Sequence, residues 1–170
     1  MKQSAGLLLY RKSGKDLEVL LVHPGGPFWA KKDKGSWSIP KGEFAEGEEP
    51  LVAAKREFSE EVGVPAPTGD YTALAEAKQP SGKIVHAFML EADVDLAHFA
   101  SSTFEMEWPP KSGKTQTFPE VDRAAWVDLA EARQKLVPGQ VVLLDGLAEH
   151  LQIAIDFSSQ PVENPQTSLL

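Results

Sequence analysis

Residues 42–64 read GEFAEGEEPLVAAKREFSEEVGV. Pro50 suits the first turn of a helix, where its missing N–H costs nothing. Gly63 suits the residue just past a helix end, where left-handed backbone is often needed. Good helix formers stand between them. At about 100° per residue, Leu51, Ala54, Phe58 and Val62 fall on one stripe, the expected buried face. Glu57, Glu60 and Glu61 fall on another: Glu60 lies about 60° behind Glu57 and Glu61 about 40° ahead. Ala53, one turn earlier on that side, leaves room above the carboxylates.

Three like charges on one helical patch repel each other. They also stand near the C-terminal end, where the helix dipole disfavours anions. A solvated acidic face is the usual reading of such a run, but no lysine follows at i+4. Those positions hold Glu61 and Val64. Residues 42–64 carry seven glutamates against Lys55 and Arg56, a local charge of −5. A hard divalent cation, which prefers oxygen ligands, would remove the penalty. It would also let an anionic phosphate approach and would activate water.

Gly42 is followed after five residues by Glu48, and after seven more by Arg56-Glu57-Phe58-Ser59-Glu60-Glu61-Val62-Gly63-Val64. The pattern G-x5-E-x7-R-E-U-x-E-E-x-G-U, where U is bulky and apolar, has every position filled. It resembles the signature box of the Nudix hydrolases, enzymes that cut nucleoside diphosphates linked to another group. The resemblance implies an α/β Nudix fold, a mixed β-sheet sandwiched between α-helices, with Mg²⁺ or Mn²⁺ as cofactor. It implies Glu57 and Glu61 as the main metal ligands, often joined by the Gly42 carbonyl, with Glu60 a further ligand or the general base. It gives Arg56 a buried pairing with Glu48 that holds the loop before the helix. Glu43, Glu46 and Glu49 fill variable positions and are read as solvated.

Outside the box, Glu120 precedes a predicted strand, where many Nudix enzymes carry an extra acidic ligand or base. Glu105 and Glu107 are its rivals. Lys31, Lys32, Lys34 and Lys41 form a local cationic cluster in an acidic chain. Such lysines act as point charges toward distal phosphates or simply keep a loop soluble. Lys41 is the strongest of the four, because Pro40-Lys41-Gly42 resembles the start of the box in members acting on dinucleoside polyphosphates. Pro80, sixteen residues after the box, resembles instead a marker of ADP-ribose-specific relatives. Phe28, Trp29, Tyr71 and Trp108 are candidates to stack on a base, against the more frequent role of packing. His86 is expected to be a hydrogen-bonded wall residue, and His23 ends a strand where structure is favoured over substrate contact.

Around this centre, residues 4–10 and 17–23 read as strands of a hairpin about RKSGKD. Residues 24–35 read as loop and Trp37–Ile39 as a short strand. Strands follow at 71–78 and 84–91, an irregular stretch at 95–123, a strand at 124–128, and helices at 129–135 and 139–155. One domain over residues 1–156 is expected, with a polar tail at 157–170.

The chain has 170 residues, 42% hydrophobic and 25% charged, which suits one soluble domain. It has no cysteine, so disulfides, thiolate metal sites and a cysteine nucleophile are excluded. The apolar stretch near the N-terminus is too short for a signal peptide, and a cytoplasmic protein is expected. A net charge of −8 argues against a nucleic-acid polymer or an anionic membrane as partner. The expected substrate is a nucleoside or dinucleoside polyphosphate, with ADP-ribose or a nucleotide sugar as the alternative. A non-catalytic binding or sensor module is the rival of another class. Such modules usually lose box carboxylates, and none is lost here. Isopentenyl diphosphate isomerases share the scaffold but need a catalytic cysteine. Oligomeric state is not set by the sequence.

Overall fold

The computed structural model describes residues 2–152. Strand β1 (Gln3–Ser13) is buried without a break from Ser4 to Tyr10. A run buried on both faces is the mark of a strand covered from two sides. Leu7 and Leu9 pack with Phe58, Ala53, Ala54 and Val62 of helix α1 (Pro50–Val62). Leu8 and Tyr10, half a period away, pack with residues of helices α2 (Leu129–Lys135) and α3 (Val141–Leu151). The sheet thus lies between helices, and each face has its own apolar cluster.

β1 returns antiparallel through β2 (Asp16–Pro24), pairing Tyr10 with Val19 through Ser13 with Asp16. On its other edge β1 runs parallel to β6 (Ile84–Glu91), from Gln3↔Ile84 to Tyr10↔Glu91. β9 (Val121–Asp128) is antiparallel to β2. The mixed seven-stranded sheet runs β4 (Thr72–Ala73), β6, β1, β2, β9, with β5 (Ala77–Lys78) also on β6. The seventh strand, β3 (Lys41–Glu43), pairs Ser4 to Gly6 of β1, while β2 pairs the other end. β1 therefore changes partner along one edge, and this split between β2 and β3 is where the sheet opens.

Several expectations need correction. Trp37–Ile39 makes only single bridges, Val22↔Ser38 and Trp37↔Leu136; the regular strand begins at Lys41, where β1 offers a free edge. Residues 71–78 are two short strands rather than one. Residues 95–123 are not irregular. They hold a 3₁₀ turn at Leu96–His98 and a separate hairpin of β7 (Thr103–Glu107) and β8 (Thr115–Pro119), with Phe104 opposite Phe118. Its alternation of Phe104 and Met106 with Glu105 and Glu107 was masked by the Pro- and Gly-rich turn. The last helix starts with a 3₁₀ turn at Pro138–Gln140, and its α-helical part ends at Leu151; residues 153–155 and the 157–170 tail lie outside the described residues. Among the described residues no helix is long and apolar enough to cross a membrane.

Candidate active site

Helix α1 forms as its sequence dictates: Pro50 opens it, and Gly63 closes it at φ +86° with its N–H bonded to the Ser59 carbonyl at 2.9 Å. A side chain at Gly63 would also overlap the Ala100 backbone. Ala53, Ala54, Phe58 and Val62 are buried and Leu51 partly so. With that face fixed, Glu57 and Glu61 turn toward β3. The Lys41 N–H donates to Glu61 Oε1 at 3.1 Å. Glu57 fills the space a side chain at Gly42 would occupy, so a larger residue there would displace its carboxylate.

Arg56 gathers the remaining charges. Its Nη1 donates to Glu57 at 2.7 Å, its Nη2 and Nε donate to the two oxygens of Glu48 at 3.2 and 3.3 Å, and Glu60 stands at 3.5 Å. The pairing with Glu48 exists, but the Arg56 side chain is 40% exposed, so the expected burial does not. Glu48 is itself only half-buried, so both partners keep contact with solvent.

Burial raises the Glu61 carboxyl to about 8, and the charges of Glu57 and Glu120 act in the same direction. Burial also raises Glu57, opposed by its bond from Arg56. Lys41 is lowered, first by burial and then by the charge of Lys83. Lys41, Glu61 and Glu120 line one cleft of about 290 Å³ at the sheet opening, together with Val22, Trp29 and Gln79 among others. Glu120 joins β8 to β9; its N–H donates to Ser102 and its carbonyl accepts from Gly25.

The fold therefore brings Glu57, Glu61, Glu120, Gly42 and Lys41 together from three places in the sequence. It does not bring Lys32 or Lys34 into the cleft lining. Both are exposed; Lys32 lies over the Trp29 ring at 5.1 Å, and its carbonyl accepts from His23. Lys31 is exposed as well. Glu60 is 46% exposed and faces Arg56. Glu105 and Glu107 sit on the separate hairpin, where Glu107 accepts from the Gly113 N–H. His23 is fully buried between Asp122 and the Lys32 carbonyl, at 2.8 and 2.6 Å, and has no path to substrate. His86 bonds Gln3 and faces Glu76. Of the aromatics, Trp29 lines the cleft, Phe28 meets Trp108 edge-on at 5.4 Å, and Tyr71 sits under Lys55.

Sequence reading missed the polar wall opposite. Gln140 is fully buried, accepts from the Ile39 N–H and donates to Ser38 Oγ, both at 3.0 Å. Gln79, beside Pro80, lines the same cleft. Neither belongs to a linear motif, and contacts spanning about a hundred residues leave no local signal. A larger groove of about 510 Å³ lies beside Lys2, Glu43 and Lys83. There Lys83 is paired with Glu43 at 3.0 Å, and the paired carboxylates of α1 are absent from it.

Among the described residues no three acidic or histidine side chains form a ready-made cation cluster. Glu57 is engaged by Arg56 and Glu61 by the Lys41 N–H. The donor chemistry nevertheless fits a hard divalent ion. Glu57, Glu61 and Glu120 are oxygen donors; burial disfavours the charged forms of Glu57 and Glu61, and a cation would relieve that cost.

The NUDIX domain matches residues 1–147, and the chain belongs to that family. Among solved structures it is similar to a C. elegans Ap4A hydrolase binary complex, at 21% identity and a TM-score of 0.58, covering 89% of this chain and 98% of that one. It is similar to the NUDIX domain of Shewanella oneidensis NrtR complexed with ADP ribose, at 18% identity and a TM-score of 0.59, covering 88% and 87%. A third is the C-terminal domain of mouse MUTYH in complex with human PCNA, at 17% identity and a TM-score of 0.58, covering 92% and 93%. At such identities the likeness is one of fold. No curated protein matches the chain.

Proposed function

We propose that this chain is a divalent-metal-dependent pyrophosphohydrolase acting on a phosphoanhydride of a nucleoside or dinucleoside polyphosphate. The observation that carries this reading is the meeting of Lys41, Glu61 and Glu120 in one cleft, with Glu57 against Gly42 beside them. Glu57 and Glu61, with the Gly42 carbonyl, would hold Mg²⁺ or Mn²⁺. When bound, the ion supplies charge that screens the phosphates and makes water more acidic. Glu120 lines the cleft and Glu60 does not, so position favours Glu120 as the base. Its carboxylate takes a proton from water as the water oxygen bonds phosphorus, and the bridging P–O bond breaks with its electron pair leaving on the departing phosphate. Lys41 offers a positive point charge to phosphate oxygens. Arg56 holds Glu57 and Glu48 in place.

ADP-ribose or a nucleotide sugar is the second reading, supported by Pro80, whose neighbour Gln79 borders the cleft. A nucleotide panel with Mg²⁺, including diadenosine tetraphosphate, the NTPs and ADP-ribose, separates the readings by product release. Fastest turnover of a polyphosphate, abolished by EDTA, is the expected result. Fastest turnover of ADP-ribose selects the second reading. Saturable binding without turnover of any compound identifies a binding module.

A further inference from the structure

Among the described residues His23 is the only histidine, acid or base that is fully buried, and the chemistry above does not use it. A polar ring so placed must be bonded to be tolerated, and both of its nitrogens are. Nδ1 stands 2.8 Å from Asp122 Oδ1, and Nε2 stands 2.6 Å from the Lys32 carbonyl. The ring also meets the buried Trp37 edge-on, 5.2 Å between centroids.

What singles out Asp122 is its place in the sheet. β2 and β9 pair residue for residue from Glu18↔Asp128 to His23↔Arg123, and then Pro24 pairs with Val121. Asp122 is thus the extra residue of a β-bulge, without a partner on β2. The bulge shifts the alternation of β9 by one. Val22, Ala124 and Trp126 belong to the apolar cluster against α1. Strict alternation would aim Asp122 and then Glu120 at that cluster too. With the bulge, Val121 packs there instead, and Glu120 borders the cleft beside Lys41 and Glu61. The chain beyond the bulge is tied down by its backbone. The Gly25 N–H donates to the Glu120 carbonyl at 2.9 Å, and the Glu120 N–H to the Ser102 carbonyl at 2.8 Å. A side chain at Gly25 would overlap the Pro119 carbonyl.

We propose that His23 is a positioning residue: by holding Asp122 it fixes the bulge, and the bulge aims Glu120 at the reacting water. The inference rests on the reading of Glu120 as the base. His23 itself touches no substrate and takes no proton in the reaction. Asp122, lacking a ladder partner, is held through its side chain. The other contact of its carboxylate, Arg123 Nε at 3.5 Å, is exposed and longer than an ordinary hydrogen bond. Bulges are over-represented next to active sites, where they re-aim a side chain. A reacting group misplaced by about 1 Å can cost about 100-fold in rate. Lys41 and the carboxylates of α1 stand on other elements, so their contacts with substrate and metal do not depend on the bulge.

The test is Asp122→Ala in the full chain, at a side chain 29% exposed, where truncation leaves the core intact. With Mg²⁺ and the best substrate of the nucleotide panel, kcat should fall about 100-fold while KM stays close to wild type. In the metal-free protein the Gly25 amide, which donates to the Glu120 carbonyl, should exchange with deuterium faster, while the amides of α1 keep their protection. Asp122→Asn keeps an acceptor for His23 and should restore both kcat and protection. His23→Gln can still reach the Lys32 carbonyl but gives up Asp122, and should repeat the pattern of Asp122→Ala. Wild-type kcat in Asp122→Ala, or a fall that Asp122→Asn does not restore, overturns the positioning role and leaves the hydrolase reading standing. A fall that comes with a lower melting temperature and faster exchange across the whole sheet marks lost stability and overturns it as well. Absence of turnover of every compound by wild type removes the hydrolase reading, and the inference with it.

Discussion

Arg56 stands among Glu48, Glu57 and Glu60 at 2.7 to 3.5 Å, and at 40% exposure it does so in high dielectric. Exposed pairs contribute about 0–1 kcal/mol, against about 3–5 kcal/mol for breaking a buried one. Arg56→Ala should therefore cost about 1 kcal/mol in a denaturant titration while lowering turnover through the released Glu57. A loss near 4 kcal/mol would show that the network is far less solvated than its exposure indicates. Glu57→Gln and Glu61→Gln should each lower turnover by orders of magnitude with the circular dichroism spectrum retained. Glu57→Gln removes a charge that repels its neighbours in the metal-free protein, and Glu61→Gln replaces a carboxyl that burial already holds protonated, so neither should melt lower than wild type in EDTA at neutral pH. Near-wild-type turnover of both at saturating Mg²⁺ would sink the ligand assignment.

Helix α1 was legible because all its determinants are local: a proline at the start, a glycine at the end and an apolar stripe between. Gly63→Ala tests the end. A non-glycine residue in left-handed backbone costs about 1–3 kcal/mol, and here the methyl group would also meet the Ala100 backbone. A drop in stability at the upper end of that range is expected by thermal unfolding; an unchanged melting temperature would mean that neither constraint holds. The hairpin of β7 and β8 was not legible, for a physical reason. Its strands are mostly exposed and pair only with each other, so just a weak alternation of Phe104 and Met106 records them. Trp37–Ile39 reads as strand by composition, yet it lies where the sheet opens and has no continuous edge to pair with.

For the whole molecule, burying Glu61 makes stability depend on pH. The carboxyl binds its proton up to about 8 in the folded chain, against about 4.3 for an unperturbed glutamate. The folded state then holds more protons than the unfolded one between those values, and stability falls as pH rises through that window. Glu57 shifts in the same direction. Asp33 and Glu43 are lowered, chiefly by hydrogen bonds from Lys135 and Lys83, and lose their contribution only in acid. In EDTA the melting temperature should decline from pH 5 to pH 8, and Glu61→Gln should flatten the decline. Mg²⁺ should stabilise more at pH 8 than at pH 5, since the ion requires the deprotonated form. A wild-type profile that rises between pH 5 and 8 in EDTA would show that Glu61 is not held protonated by burial.

What the sequence by itself determined is whatever neighbours along the chain enforce. It set α1 with its caps, the acidic face that α1 carries, the hairpin of β1 and β2, and the fold class that follows from the box. It also marked Glu120 and Lys41, the first by its place before a strand and the second by its place before Gly42. Only the tertiary structure decided which residues share the cleft. It left Lys32 and Lys34 on an exposed loop, turned Glu60 toward Arg56, and set Gln79, Trp29 and Gln140 beside the carboxylates. The reason is the change of partner along β1, from β3 to β2. That opening exists only once strands distant in sequence have paired, and no short window of residues encodes it.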